Sequence, residues 1–281
     1  MIAFRRIVKA ALAASVALAA AAPFSANAEG RLEAQYEATL AGIPIGKASW
    51  TVEVGDTHYS ATVHAATTGL VQFLAGAEGT GLAQGTISGG KLMSALYSSN
   101  IKVRKKKDEV RLVVANGNVK EFTVEPPLND DPERVPLTPA HQRGILDPMS
   151  GMLLRVPGNG NMLVPESCQH RSAVFDGRLR YNLEFAFKRM EHVKAKGYDG
   201  PVLVCAVYFT PVAGFVPSRK TIKYIAALRD IEIWMAPIAG TRVLGIIRAQ
   251  APTPLGEVKL VARQFVSVAG PVRPSNGTKT Q

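Results

Sequence analysis

The chain has only two cysteines, Cys168 and Cys205, among 281 residues. That excludes a disulfide-dense miniature scaffold and a cysteine-rich zinc module. Their spacing also excludes a CxxC redox pair. Histidines are five, at 58, 64, 141, 170 and 192, and none falls in an HExxH or other paired-ligand spacing. His58 and His64 fall on one face of one strand. They stand about 20 Å apart there, too far to share a metal. No metal or cofactor is expected. A Gly-x-Ser-x-Gly elbow is missing, which removes the usual serine-hydrolase signature. Asp130, Asp131 and Glu133 cluster in a proline-rich stretch and read as a solvated loop. The sequence shows no internal repeat and no low-complexity segment. Beyond the first 28 residues, no apolar run is long enough to span a bilayer.

Acids are also scarce: 22 Asp and Glu stand against 33 Lys and Arg, for a formal charge of +11. Three of those cations, Arg5, Arg6 and Lys9, open the chain ahead of the apolar stretch Ala10–Ala22. Ala26-Asn27-Ala28 then supplies the small-x-small pattern that a signal peptidase cleaves. Residues 1–28 are therefore predicted to be a cleaved signal peptide, with the mature chain starting at Glu29 in the periplasm. No cysteine follows the apolar run, so lipid attachment is not expected. The mature part keeps a charge near +8, since the removed part holds three cations and no acid. Such a balance favours anionic partners, namely lipid phosphates, lipopolysaccharide or acidic wall polymers, over nucleic acid, and an envelope protein is the other partner expected; charge of this size also serves solubility alone. In an oxidising compartment Cys168 and Cys205 are predicted to pair.

What remains is strand after strand. In Arg31–Ala41, Leu32, Ala34, Tyr36, Ala38 and Leu40 alternate with Glu33, Gln35, Glu37 and Thr39, the period of a half-buried strand. Ala48–Val54 and His58–Thr67 continue the meander after a turn at Gly42–Gly46. The pattern breaks between Thr68 and Gly90, which reads as a packed loop with a short helical turn. Strands resume at Leu92–Val103, Glu109–Ala115 and Val119–Val124, the last two flanking Asn116-Gly117-Asn118, a hairpin signal. Asp147-Pro148 has the form of an N-cap followed by a first-turn proline, so one short helix is predicted over Asp147–Arg155. Further strands are read at Gly177–Lys188, Val202–Phe209, Lys220–Asp230, Ile231–Ala236, Val243–Ala249 and Val258–Val268. Val202–Phe209 is apolar on both faces and hence central. Residues 270–281 read as a disordered tail. The fold expected is mainly β: one antiparallel sheet over 29–269, curled into a closed or spiral barrel with one short helix. Whether such a barrel is hollow or filled is left open by the sequence.

A basic run stands out: Lys102, Arg104, Lys105, Lys106 and Lys107, around Val103. On an extended strand Lys102, Arg104 and Lys106 would share a face and meet an anionic surface. The competing reading is a solvated hairpin tip that blocks edge-to-edge pairing.

Several short motifs carry a resemblance. Tyr36 followed by Gly42-Ile43-Pro44-Ile45-Gly46-Lys47-Ala48, Gly69 after a Thr-bearing strand, Asp147-Pro148-Met149-Ser150, and Phe175-Asp176-Gly177-Arg178 before a Tyr-bearing strand resemble the domain of unknown function 3108 family. Its members are exported proteins of Gram-negative bacteria, and the likeness spans roughly Leu32–Val268. The family implies no activity and no catalytic residues. A looser similarity runs to periplasmic spiral β-barrels of the envelope-integrity and lipoprotein-carrier kinds. The expectation that follows is a non-enzymatic envelope protein that binds an amphiphile or an envelope partner. The alternatives are an interaction domain with a filled core and, behind it, an envelope hydrolase.

Overall fold

The structure is a computed structural model and describes residues 29–69, 71–72 and 76–270. The predicted signal peptide, and all of the predicted tail but its first residue, lie outside the described residues.

Two-residue periodicity makes the first half a meander. Its strands are β1 (Gly30–Leu40), β2 (Ile43–Val54), β3 (His58–Thr67), β4 (Ala77–Ser88), β5 (Lys91–Val103), β6 (Lys106–Ala115) and β7 (Asn118–Glu125). After a long connection come β8 (Leu154–Arg155), β9 (His170–Phe175), β10 (Arg180–Ala195) and β11 (Tyr198–Ala213). A helix, α1 (Lys220–Ala227), precedes β12 (Glu232–Pro237), β13 (Val243–Thr253) and β14 (Gly256–Ala269). All fall in one sheet, ordered β7-β6-β5-β4-β3-β2-β1-β14-β13-β12-β11-β10-β9, with β8 paired to β13. Every strand pairing is antiparallel, and the first strand joins the last along its full length, Gly30 opposite Ala269 and Leu40 opposite Val258.

The sheet curls without closing, which leaves β7 and β9 as edges. Side chains and one loop fill the seam between them. Phe122 of β7 meets Phe175 of β9 edge-on, with ring centroids 5.5 Å apart. Arg178 donates to Asp108 at 2.9 Å and to the Pro126 carbonyl at 3.1 Å. The connecting segment threads the gap: Ile145 N–H donates to Gly117 O at 2.9 Å, and Leu146 N–H to Ala173 O at 2.8 Å. An edge strand left bare would invite pairing with another chain. Here Leu146 pairs with the edge of β9, bridging Val174, and the Phe122 ring packs at the β7 side of the seam.

The interior is filled. Tyr36, Trp50, Tyr59, Tyr97, Leu112, Trp234 and Phe265 are buried together with Leu153 of the long connection. A second apolar layer lies on the opposite face of the late strands. Leu183, Phe185, Leu203, Cys205, Val207, Ile233, Met235 and Leu244 pack there under Leu154, Val156 and Cys168. Val202 to Val207 are all buried, so β11 is covered on both faces. Each such side chain contributes about 1.5–3 kcal/mol, an upper bound for area-based reckoning. Cys168 and Cys205 form a disulfide with Cα atoms 5.7 Å apart, which ties the covering segment to the strand it covers.

Three local expectations are corrected. Asp147–Arg155 is not a helix: Ser150–Met152 makes a single 3-10 turn, and Leu154–Arg155 is already strand β8. The Asp-Pro start is real capping chemistry, but the turn is stopped by pairing with β13. The helix lies instead over Lys220–Ala227, where a strand was read. Ile222, Ile225 and Ala226 are spaced as one helical face, and a short apolar run does not separate helix from strand by itself. Lastly, Ala77–Ser88 is a strand, not a loop. Its glycines hid it. A Cβ on Gly85 would stand 2.5 Å from the Tyr59 ring, and one on Gly81 would stand 2.9 Å from Val63. These glycines are there for close packing, not for turning.

Candidate functional site

The antiparallel order sends the turns after β1, β5 and β13 to one end of the barrel. The β1–β2 and β13–β14 tips are tied, Ala41 N–H donating to Glu257 O at 2.9 Å. Between β2 and β5 lie three strand spacings, about 14 Å. This end carries exposed apolar side chains: Ile43 and Leu255 at the two tied tips, 64% and 78% exposed, and Ile101 and Val103 on β5.

The basic run occupies the third tip. Arg104 and Lys105 form the turn between β5 and β6, with Arg104 at φ 55°. Lys102 pairs across with Lys107, and Val103 with Lys106. Residues 101–107 are all exposed. The expectation that Lys102, Arg104 and Lys106 share the face of an extended strand is therefore corrected, because the run folds over the tip. Lys102 and Lys107 lie side by side on one face, while Lys106 and Val103 lie on the other. Lys102 also approaches Glu78 at 3.4 Å, an exposed pair of little energetic weight.

Other polar groups gather inside the barrel, where the sequence gave little warning. Asp147 is fully buried. Its Oδ1 accepts the N–H groups of Met149 and Ser150, both at 2.9 Å. Its Oδ2 accepts the hydroxyls of Ser94 at 2.6 Å and Ser150 at 2.5 Å. Tyr59 donates in turn to Ser150 at 2.7 Å. Burial pushes the Asp147 carboxyl up, and these hydrogen bonds pull it back only in part. Burial likewise raises the Tyr59 phenol beyond the normal range. Ser150 beside a carboxylate is thus a capping and anchoring group. It is buried, its hydroxyl is spoken for on both sides, and no imidazole stands by it. Ser94 was visible only as a polar residue at an inward position of an apolar strand.

A second cluster surrounds Trp234. Arg189 holds Glu232 with two hydrogen bonds of 3.0 Å, and Lys188 reaches the same carboxylate at 2.5 Å. The Arg189 bonds, with help from Lys188, hold Glu232 down at about 2. The indole N–H donates to Glu191 at 2.7 Å, and the Arg248 guanidinium lies 4.7 Å from the ring centre. Glu232, Glu191 and the indole N–H are each paired within this cluster, and Arg248 stacks on the ring while its Nε stays unpartnered, the behaviour of a structural network.

The histidines do not converge. His192 pairs with Asp199 at 2.6 Å on the surface, and His58 with Thr57 at 2.8 Å. Among the described residues no three of His, Cys, Asp and Glu gather to hold a metal ion. In the acidic stretch, Asp131 accepts the Glu133 N–H at 3.1 Å, a local turn. No described helix is long and apolar enough to cross a membrane.

A search of curated proteins found no match to this chain. Among solved structures it is similar to the beta-barrel-like protein of domain of unknown function DUF1849 from Brucella abortus. The likeness covers 86% of this chain and 98% of that one, at 9% identity and a TM-score of 0.48. A family profile described as a protein of unknown function, DUF3108, matches residues 35–263. That span runs from β1 to β14 and takes in both halves of the sheet and the seam between them, so this chain belongs to the DUF3108 family.

Proposed function

We propose that this chain is a non-enzymatic periplasmic protein that docks on an anionic membrane surface through the barrel end bearing its basic hairpin tip. One observation carries the reading: the exposed cations of the β5–β6 tip and the exposed Ile43 and Leu255 lie at the same end of one sheet. Basic side chains near a surface of acidic lipid gain about 1 kcal/mol each, and apolar tips gain further by entering the headgroup layer. The filled interior favours binding on the outside of the barrel over carriage within it. The export signal read from the sequence over 1–28 and the disulfide both suit an extracytoplasmic site of action.

Sedimentation with vesicles tests this. The protein is expected to pellet with vesicles of mixed zwitterionic and anionic phospholipid, and to stay in solution with purely zwitterionic ones. Added salt should release it. The triple variant Lys105→Glu, Lys106→Glu, Lys107→Glu should fold normally and lose the binding. Equal partitioning onto both vesicle types, or binding unchanged in the triple variant, would remove the proposal. Binding only to vesicles that contain lipopolysaccharide would replace the phospholipid surface by that glycolipid.

A further inference from the structure

At the opposite end of the barrel, across the seam, lies a pocket of about 660 Å³. One wall is the β4–β5 turn, Gly89 to Met93, with Asn116 and Gly117 of the β6–β7 turn beside it. The other wall is Arg155–Pro157 with Glu166, Ser167 and Gln169–Ala173. Ile145, Leu146 and Leu153 of the connecting segment also line it. A volume of this size suits a small organic molecule.

Three cations, Lys91, Arg155 and Arg171, line this pocket against one acid, Glu166. Arg171 is engaged with Glu184 at 3.2 Å. Arg155 is different. Its Nε is buried with no hydrogen-bond partner, and the Ser167 hydroxyl in the same pocket is buried and unpartnered too. No carboxylate among the described residues pairs with Arg155. The charge that bears on it is a like one, Arg242.

The neighbouring arginine shows what a structural guanidinium does here. Arg242 donates to three backbone carbonyls: Gly160 at 2.6 Å, Pro157 at 3.1 Å and Val156 at 3.3 Å. Arg248 is the other arginine with an orphan Nε, and it lies over the Trp234 ring. Arg155 has neither carbonyls nor a ring. A buried donor without an acceptor costs free energy that a fold has no reason to accept unless something else satisfies it. An arginine fork matches the two oxygens of a carboxylate or the oxygens of a phosphate.

We infer that this seam pocket is a binding site for an oxyanion-bearing small molecule, its carboxylate or phosphate oxygens received by the Arg155 guanidinium as a small shift of the lining uncovers Nε and the Ser167 hydroxyl, both closed to solvent in the free chain. Lys91 adds long-range attraction from the opposite wall. Met93, Leu146 and Pro157 supply apolar surface for the rest of the ligand. The site is separate from the membrane-docking end, and neither reading depends on the other.

Calorimetric titration of the purified chain with inorganic phosphate, octanoate and octyl phosphate tests the inference, with octyltrimethylammonium as the cationic control. Binding of at least one oxyanion and none of the cation is expected. Preference for the octyl compounds would identify an amphiphile, and preference for inorganic phosphate a free anion. Arg155→Gln should weaken binding at least tenfold, and Ser167→Ala should weaken it less. Arg155→Lys, which keeps the charge and loses the fork, should fall between wild type and Arg155→Gln. If Arg155→Gln fails to fold, backbone amide shifts in the wild type decide: perturbation by the best-bound probe must centre on 155–157 and 166–173. Absence of oxyanion binding to the folded chain, binding unaltered in Arg155→Gln, or shifts confined to other regions would overturn the site.

Discussion

The two halves of the sheet bury their strands in different ways. In β1, Leu32, Ala34 and Tyr36 face the core while Glu33, Gln35 and Glu37 face outward; the first half follows this pattern and needs one core only. β11 has no such polar face, because Leu203, Cys205 and Val207 are as buried as Val202 and Val204. A strand that is apolar on both sides needs a second cover, and the segment from Leu154 to Cys168 provides it. The disulfide holds that cover in place at its far end. Polar alternation and a tethered lid are thus two solutions to one problem, keeping apolar side chains out of water. Only the second is tied by a covalent bond.

The largest effect should come where the two halves meet. Phe175→Ala removes the ring that closes the seam against Phe122, and a loss of about 3–5 kcal/mol is expected in denaturant unfolding. A loss under 1 kcal/mol would mean that the seam does not join the halves. Reduction of the disulfide, or Cys168→Ser, should cost about 3–4 kcal/mol for the loop it closes. Equal denaturation midpoints with and without reductant would show that the lid stays down by packing alone, erasing the contrast with the first half.

Asp147→Ala should cost about 1–3 kcal/mol, since the Met149 and Ser150 N–H groups and the Ser94 hydroxyl lose their shared acceptor. Two buried acids then separate by pH. The Asp147 carboxyl is raised in the folded state, so the folded chain takes up its proton first. Its contribution is favourable at low pH and is lost as pH rises through the raised value. Glu232 is depressed to about 2 by Arg189 and Lys188. Its contribution is present above its ordinary value near 4.5 and is lost as pH falls toward 2. Stability measured from pH 2 to 8 should show the rising limb shrink in Glu232→Gln and the falling limb shrink in Asp147→Asn. Identical profiles would refute both assignments. The smallest effect is expected at the basic tip, where Lys105→Glu should change stability by less than about 0.5 kcal/mol.

Much of this was legible in the chain itself. The alternation in Arg31–Ala41 set which side of β1 faces inward, and Asn116-Gly117 placed a turn that the structure shows at φ 52° and 72°. The doubly apolar Val202–Phe209 announced a strand covered on both sides, and the lone thiol pair named its tether. These are local properties: a two-residue period and a tolerance of positive φ are written into the residues that show them. Other features depend on residues far apart in sequence. The glycines of Ala77–Ser88 masked a strand because their purpose, room for Tyr59 and Val63, lies on another strand. Ser94 and Asp147 meet across 53 positions. The curl of the sheet brings Phe122 to Phe175 and sets Lys91 opposite Arg155. The sequence decided which faces must leave water. Only the tertiary structure decided which distant polar groups would meet once they had, since hydrophobic burial is non-directional and hydrogen-bond geometry is not.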